Sequence, residues 1–372
     1  MTTDLDRFAC DDRFPGLEIV RLIRRAIEST RLDLKGLRVL TEASVGYRRV
    51  TPAIAALAGA DEVYAVGRDS VTASRKAAEE QTAYFAELAH VGARVKLLST
   101  RLQAPLETVD VVTDLPGVRP IDESTLRNVA ETAAVTLMRG AAHWRAADVD
   151  VATCRRRGIA VAALDEEAIG LYRSAPQAVL SGLLDLGVSI TGSTVAVAGD
   201  GPACPYVVQA LALLGARVLV AAPESAGRIA LYGGEKAGDA LGDALAGRLP
   251  EADALVLCPA DAEARTIGPG TSIDAARLAA AAPHLSVVGL DAETDLRPLG
   301  AAGLRCRPAG GPGGVFDLLP QAVVTQHTAG LKIAEVMTRA RRRGSSPLAA
   351  EQLAAAEAYA ELLGQDLSSG RR

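Results

Sequence analysis

Long apolar runs are missing from this chain of 372 residues, and none reaches the roughly 18 residues that would suggest a membrane span. Nor is there an excess of positive charge. Lysine and arginine total 40 against 45 acidic residues, a formal net charge of −5, and the basic residues are scattered, so nucleic acid is not expected as a partner. The five cysteines, Cys10, Cys154, Cys204, Cys258 and Cys306, are odd in number, far apart and without a C-x-x-C pair. That argues against a disulfide framework and a zinc site. The first residues, MTTDLDRFACDDRF, are polar and acidic without a signal-peptide pattern, so a cytoplasmic location is expected. Aromatics are scarce at 3%, and with only four histidines each can be weighed singly. Apolar residues are plentiful at 49%, enough for two cores, and the length is itself the prior for two domains.

The chain is organised around Thr194–Ala216. Val195, Ala196, Val197 and Ala198 form a short apolar run that ends in Gly199-Asp200-Gly201-Pro202-Ala203-Cys204. Helical periodicity follows at once (Val207, Val208, Leu211, Leu214), then Gly215 as a C-cap and a second strand at 217–221. Strand, glycine turn, helix, strand is the first half of a mononucleotide-binding unit. Glycine serves where the chain turns sharply against a pyrophosphate, and the helix start offers free N–H groups to the anion. Cys204 stands where a third glycine is expected, and Pro205 is tolerated in the first helical turn. The acid that would take ribose hydroxyls falls at Ala222, with Glu224 the nearest carboxylate. A strand–helix unit that binds no dinucleotide remains the plainer alternative.

Elsewhere, apolar runs at 37–41, 62–66, 94–98, 109–113, 134–138 and 159–162 alternate with helical patterns at 17–27, from Thr51-Pro52, at 72–89, after Asp122 and at 150–157. Thr51 reads as an N-cap with Pro52 behind it. Residues 166–187 form a long helical stretch with Pro176 in its middle. Beyond the glycine turn, runs at 254–258, 286–290 and 323–327 read as further strands, followed by helices at 331–342 and about 345–365. This alternation implies parallel sheets covered on both faces. The expected class is α/β, two Rossmann-like doubly wound parallel-sheet lobes with an inter-lobe cleft. Residues 1–165, joined by the helix 345–365, would be the substrate lobe, and 166–335 the cofactor lobe.

Taken in order, four fragments resemble the D-isomer-specific 2-hydroxyacid dehydrogenases and S-adenosylhomocysteine hydrolase, over roughly residues 109–335. Asp148-Val-Asp150 to Val161 is similar to the family's entry to its inter-lobe helix. Gly199-Asp200-Gly201 sits at the cofactor turn, and Cys258-Pro259 to Ile267 is similar to the P-x-T-x-E-T-R-x-x-I loop. Thr325-Gln-His327-Thr-Ala-Gly330 resembles T-P-H-x-A-G, whose histidine is the acid/base. The resemblance implies a cofactor site at Gly199, Asp200, Gly201, Pro202, Ala203, Cys204, Glu224 and Pro259, and usually a homodimer. Several positions depart from the pattern. No arginine falls in register after 286–290, where the loop is Asp291-Ala-Glu293, and Arg297 lies beyond it. The histidine's partner glutamate has no counterpart in 310–317, and the substrate-loop glycines become Arg139-Gly140-Ala-Ala-His143-Trp144.

The catalytic candidates are His327 and His143, with His90 and His284 read as surface groups. Arg48, Arg49, Arg68 and Arg119 follow strand ends and could rim an anion site, while Glu42, Ser44, Tyr47 and Asp114 occupy similar positions. Each of those arginines could equally be a solvated surface group. The run Arg339–Arg343 reads as a solvated helix C-terminus. Three readings stay open. The first is an oxidoreductase using NAD or NADP, with His327 as proton donor on a small, conceivably anionic substrate; Arg228 leaves NADP conceivable. The second is an S-adenosylmethionine-dependent methyltransferase on the same fold, like the pyridinol methyltransferases of iron-guanylylpyridinol cofactor synthesis. The third is a ligand-binding protein without catalysis.

Overall fold

A computed structural model describes residues 15–70, 73–222, 231–238, 247–258, 274–290, 294–307 and 319–363. Two compact units form, Met1–Ile169 with Pro320–Arg372 as unit 1 and Gly170–Leu319 as unit 2. Among the described residues the strands are β1 (Arg38–Glu42), β2 (Glu62–Val66), β3 (Val95–Leu98), β4 (Val111–Thr113), β5 (Ala134–Thr136), β6 (Ala160–Leu164), β7 (Thr194–Ala198), β8 (Arg217–Ala221), β9 (Glu235–Gly238), β10 (Ala254–Leu257), β11 (Ser286–Gly289), β12 (Arg305–Arg307) and β13 (Ala360–Glu361).

The sheet of unit 1 has the order β13-β6-β5-β4-β1-β2-β3. Its strands run parallel except β13, which pairs antiparallel with β6. Adjacent residues face opposite layers, as the pleat demands. Val39, Val63 and Val111 pack with Ile19, Ile54, Phe85 and Leu331 on one side. Leu40, Val112, Val135 and Val161 pack with Leu126 and Cys154 on the other. The sheet of unit 2 has the order β12-β11-β10-β7-β8-β9 and is parallel throughout. Counted from each unit's own first strand, both sheets follow 3-2-1-4-5-6, the doubly wound arrangement of dinucleotide-binding domains. Strands buried on both faces read as continuous apolar runs, which is why the α/β class is visible in the sequence.

Several elements differ from the sequence reading. Residues 323–327 are not the closing strand of the second sheet. They lie inside a helix, Pro320–Arg342, that belongs to unit 1 and packs on β4, β5 and β6. Pro320 starts it at a position where its missing N–H costs nothing. Gly330 lets the helix approach β5, since a Cβ there would stand 2.5 Å from Met138 Sδ. The second unit accordingly ends at Leu319, well short of residue 335. The terminal helix, Pro347–Glu357, stops where the chain passes through Tyr359 at φ 61 and enters β13. Pro176 sits in the first turn of the Ala175–Asp185 helix, after a short 3-10 turn at Leu171–Ser174. Thr51 opens the Thr51–Leu57 helix without capping it through its side chain.

The arginines at the end of the Pro320–Arg342 helix are tethered rather than freely solvated. Arg339 Nη2 donates to the Asp33 carbonyl at 2.7 Å, and Arg342 pairs with Asp110 at 2.5 Å. Arg341 Nη2 donates to the Glu131 carbonyl at 3.2 Å.

Candidate functional site

In unit 2 the chain leaves β7 at the point where the strand order reverses, between β7 and β10. Gly199 takes φ 117, a conformation that excludes ordinary side chains. Its amide donates to the Ala221 carbonyl at the end of β8, and the Gly201 amide donates to the Cys258 carbonyl beyond β10, both at 2.9 Å. The Cys204–Leu213 helix follows, with Pro205 in its first turn. Its opening N–H groups have no partners within the helix, and its positive end faces the turn. Cys204, at the expected third-glycine position, is fully buried. Its thiol lies 3.3 Å from the Gly199 carbonyl oxygen and 3.5 Å from that of Cys258, tucked beneath the turn.

These residues fit a pyrophosphate: a left-handed glycine, a second glycine and a helix start converge where α/β sheets bind ligands. Two features oppose it. Buried Ala222 stands where a ribose-binding acid is expected. Half-buried Asp200 has no ion-pair partner among the described residues and sets a like charge beside any phosphate. Pro202 is exposed and Ala203 buried. Glu224, Arg228, Pro259 and the 291–293 and 310–317 segments lie outside the described residues.

Unit 1 presents its own reversal, between β1 and β4. Glu42, at the end of β1, is 3% exposed and accepts from the Gly117 amide at 3.2 Å. Asp114 accepts from the Met138 amide at 2.7 Å and pairs with Arg119 at 2.9 Å, and Arg119 also pairs with Asp148 at 2.9 Å. Arg119 and Asp114 thus form a buried ion pair that staples the 114–120 loop. Arg68 donates to the Pro116 carbonyl at 2.9 Å and steadies the same loop. Buried Arg49 lies over the Phe85 ring, 5.6 Å from its centroid. Ser44 exchanges two hydrogen bonds with Thr82, and the Gly46 amide donates to Gln81. Tyr47 packs half-buried on the core. The four arginines therefore do not converge as one rim; two of them point into the fold.

His327 lies in unit 1, not on the second sheet. It is 3% exposed, and its Nδ1 stands 2.5 Å from the Thr51 hydroxyl, which also donates to the Arg48 carbonyl at 3.1 Å. Burial pushes its pKa down to about 3, with the Arg48 charge adding to the effect. The ring is therefore neutral at pH 7, and a neutral imidazole of this kind receives a proton rather than supplying one. The neighbouring Gln326 donates to the Met138 carbonyl, just beyond β5, at 2.7 Å, which places this part of the helix at the C-terminal edge of the strands. Neither Thr51 nor Gln326 stands out in the sequence as a functional residue; Thr51 reads there only as a helix start.

His143 closes the short turn Ala141–His143 and is half-buried. The loop around it is clamped by carboxylates. Gly140 donates to Glu166 at 3.1 Å and Ala141 to Glu361 at 2.8 Å, while Trp144 Nε1 donates to the Val149 carbonyl at 3.1 Å. His90 is exposed, and His284 bonds the Ala252 carbonyl at 3.0 Å at the opposite, N-terminal end of its sheet. Among the described residues no cluster of three or more metal-ligating side chains occurs, and no helix is long and apolar enough to cross a membrane.

No family model and no curated protein matches the chain. Solved structures do. A dipicolinate synthase subunit from Bacillus halodurans is 20% identical, covers 82% of this chain and 98% of its own, and superposes with a TM-score of 0.51. The corresponding dipicolinate synthase chain from Bacillus subtilis is 17% identical over 84% of this chain and 98% of its own, also at 0.51. The apo-structure of D-lactate dehydrogenase from Escherichia coli matches at 15% identity over 84% and 99%, with a TM-score of 0.43. At such identities the first two likenesses establish the fold, two Rossmann-type α/β lobes.

Proposed function

We propose that this two-lobe Rossmann-type protein is a nicotinamide-dependent oxidoreductase acting on a small hydroxy or keto substrate. One observation carries the reading. The Gly199–Cys204 turn lies at the order reversal of a 3-2-1-4-5-6 parallel sheet, with its amides tied to the ends of β8 and β10. In this reading Gly199, Gly201 and the helix start hold the pyrophosphate, and a bound nicotinamide dinucleotide supplies the hydride acceptor or donor. Within unit 1, His327 is the candidate for exchanging a proton with a substrate oxygen, and the Arg48 charge acts on that ring. The ring is neutral at pH 7, so in this reading His327 takes the proton of a substrate hydroxyl rather than giving one.

A second reading has its own support. Asp200 and Ala222 both disfavour a dinucleotide, and a sulfonium cofactor without phosphates, S-adenosylmethionine, would meet the Asp200 carboxylate with the opposite charge. Thermal-shift measurements with NAD⁺, NADH, NADP⁺, NADPH, S-adenosylmethionine and S-adenosylhomocysteine separate the two. A ligand at about 100 times its dissociation constant adds roughly 2.7 kcal/mol. Stabilisation by a nicotinamide dinucleotide, abolished in Gly201→Trp, is the expected outcome. Stabilisation by the sulfur pair alone discards the oxidoreductase in favour of the methyltransferase, and silence from all six discards both.

A further inference from the structure

The Thr51 hydroxyl has two neighbours and one proton to give. The Arg48 carbonyl, 3.1 Å away, can only accept, and His327 Nδ1, 2.5 Å away, can do either. If Thr51 gave its proton to the ring, the contact with the Arg48 carbonyl would be oxygen against oxygen with nothing between. Both contacts hold a proton in one arrangement alone: Thr51 donates to the carbonyl and Nδ1–H donates to Thr51. The ring's other nitrogen, Nε2, has no partner among the described residues. It is not among the fully buried atoms that lack a partner, so it keeps an opening through which a donor from outside the chain can reach it.

We propose that Thr51 fixes the tautomer of His327, so that the ring carries its proton on Nδ1 and presents a bare Nε2 to a hydroxyl of the substrate. Thr51 is then a positioning residue, doing through a neutral hydroxyl what a carboxylate does for many catalytic histidines. Both partners sit on stiff supports. Thr51 begins a helix locked by Pro52, with Val50 and Ala53 buried around it, and His327 lies within a buried stretch of the Pro320–Arg342 helix. The two residues are 276 positions apart in the chain, joined only by folding.

The inference rests on the oxidoreductase reading for its chemistry but not for its test. In that chemistry the substrate O–H bond breaks and its proton goes to Nε2. The carbon's C–H bond breaks with its electron pair, leaving as hydride to an oxidised nicotinamide, and the C–O bond becomes C=O. The ring is left protonated on both nitrogens, and its extra proton returns to solvent. The substrate is oxidised by two electrons and the nicotinamide reduced by two.

The direct measurement is the long-range ¹H–¹⁵N correlation of the imidazole rings in ¹⁵N-labelled protein at pH 7, with His327 assigned by the signals lost in His327→Gln. The expected result is a neutral His327 ring protonated on Nδ1 and bare at Nε2. Thr51→Val should move the proton to Nε2, and Thr51→Ser should restore the wild-type pattern. A wild-type ring protonated on Nε2 overturns the proposal, and this holds even if Thr51→Val fails to fold. An unchanged tautomer in folded Thr51→Val overturns it too. With a hydroxy substrate in hand, Thr51→Val should lower kcat about tenfold or more with little change in KM, and Thr51→Ser should recover it. If no nicotinamide dinucleotide binds while the tautomer is as stated, the oxidoreductase reading fails and the Thr51–His327 arrangement stands.

Discussion

The Gly201 amide donates to the Cys258 carbonyl at 2.9 Å and so joins the ends of β7 and β10, the neighbours between which the strand order reverses. The turn is therefore built on sheet geometry rather than on loop contacts alone. Gly199→Ala would force a methyl group onto a backbone at φ 117, at a cost of about 1–3 kcal/mol. Urea denaturation should show that loss, and ligand-induced stabilisation should vanish with it.

Asp200 sets a carboxylate beside the anion cradle. Asp200→Asn should tighten nicotinamide dinucleotide binding by about 1 kcal/mol, roughly fivefold, as expected for removing one solvent-screened like charge. Calorimetric titration reads the change, which should shrink as salt is added.

Gly117 is pressed against β1 and β2. A Cβ there would lie 2.3 Å from the Val66 carbonyl oxygen and 2.8 Å from Glu42 Cβ, and neither neighbour can retreat without moving a strand. Gly117→Ala should lift the 114–120 loop, cost about 1–3 kcal/mol and make the loop newly sensitive to proteolysis. An equally stable, equally resistant variant would contradict this packing.

Arg119 neutralises Asp114 and Asp148, and its side chain is only 9% exposed. Arg119→Met leaves the Asp114 carboxylate buried without its cation, a loss of about 3–5 kcal/mol. Adding Asp114→Asn should recover part of that loss, because the uncompensated charge goes and a hydrogen-bonding side chain remains. Chemical denaturation of the single and double variants supplies the comparison.

His327 makes stability depend on pH in a fixed direction. Its folded pKa is depressed from 6.5 to about 3, chiefly by burial, so between these values the unfolded chain binds a proton that the folded chain refuses. The stabilisation is complete above about pH 6.5 and is lost as pH falls, at up to about 1.4 kcal/mol per unit. Wild type should therefore lose stability relative to His327→Gln between pH 7 and pH 4. Parallel curves would mean the ring is not buried neutral.

Strands flanked by helices on both faces leave continuous apolar runs, and the glycine turn after β7 announces itself by residue type. Those features were legible in the sequence. The run Val323-Val-Thr-Gln-His327 was not, because its β-branched residues suggest a strand while burial on nearly every side holds it in a helix. Propensity gives way to packing there. Arg119 and Arg49 read as a ligand rim because strand-end position is visible in sequence and the direction of a side chain is not. Thr51 read as a cap. Its meeting with His327 depends on a helix that rejoins unit 1 after the whole of unit 2 has passed in the chain, and no local pattern records such a return.

That return sets an order of events during synthesis. Unit 1 is interrupted, and Val323, Val324 and Leu331, which complete one of its cores, are made only after all of unit 2. At typical elongation rates the intervening stretch, Gly170–Leu319, takes about 8–30 s. During that interval the face of the first sheet destined for the Pro320–Arg342 helix stands open, while unit 2, continuous in the chain, is free to fold. The inserted unit can fold first, whereas the unit that holds the amino-terminal half stays incomplete until the helices Pro320–Arg342 and Pro347–Glu357 have been made.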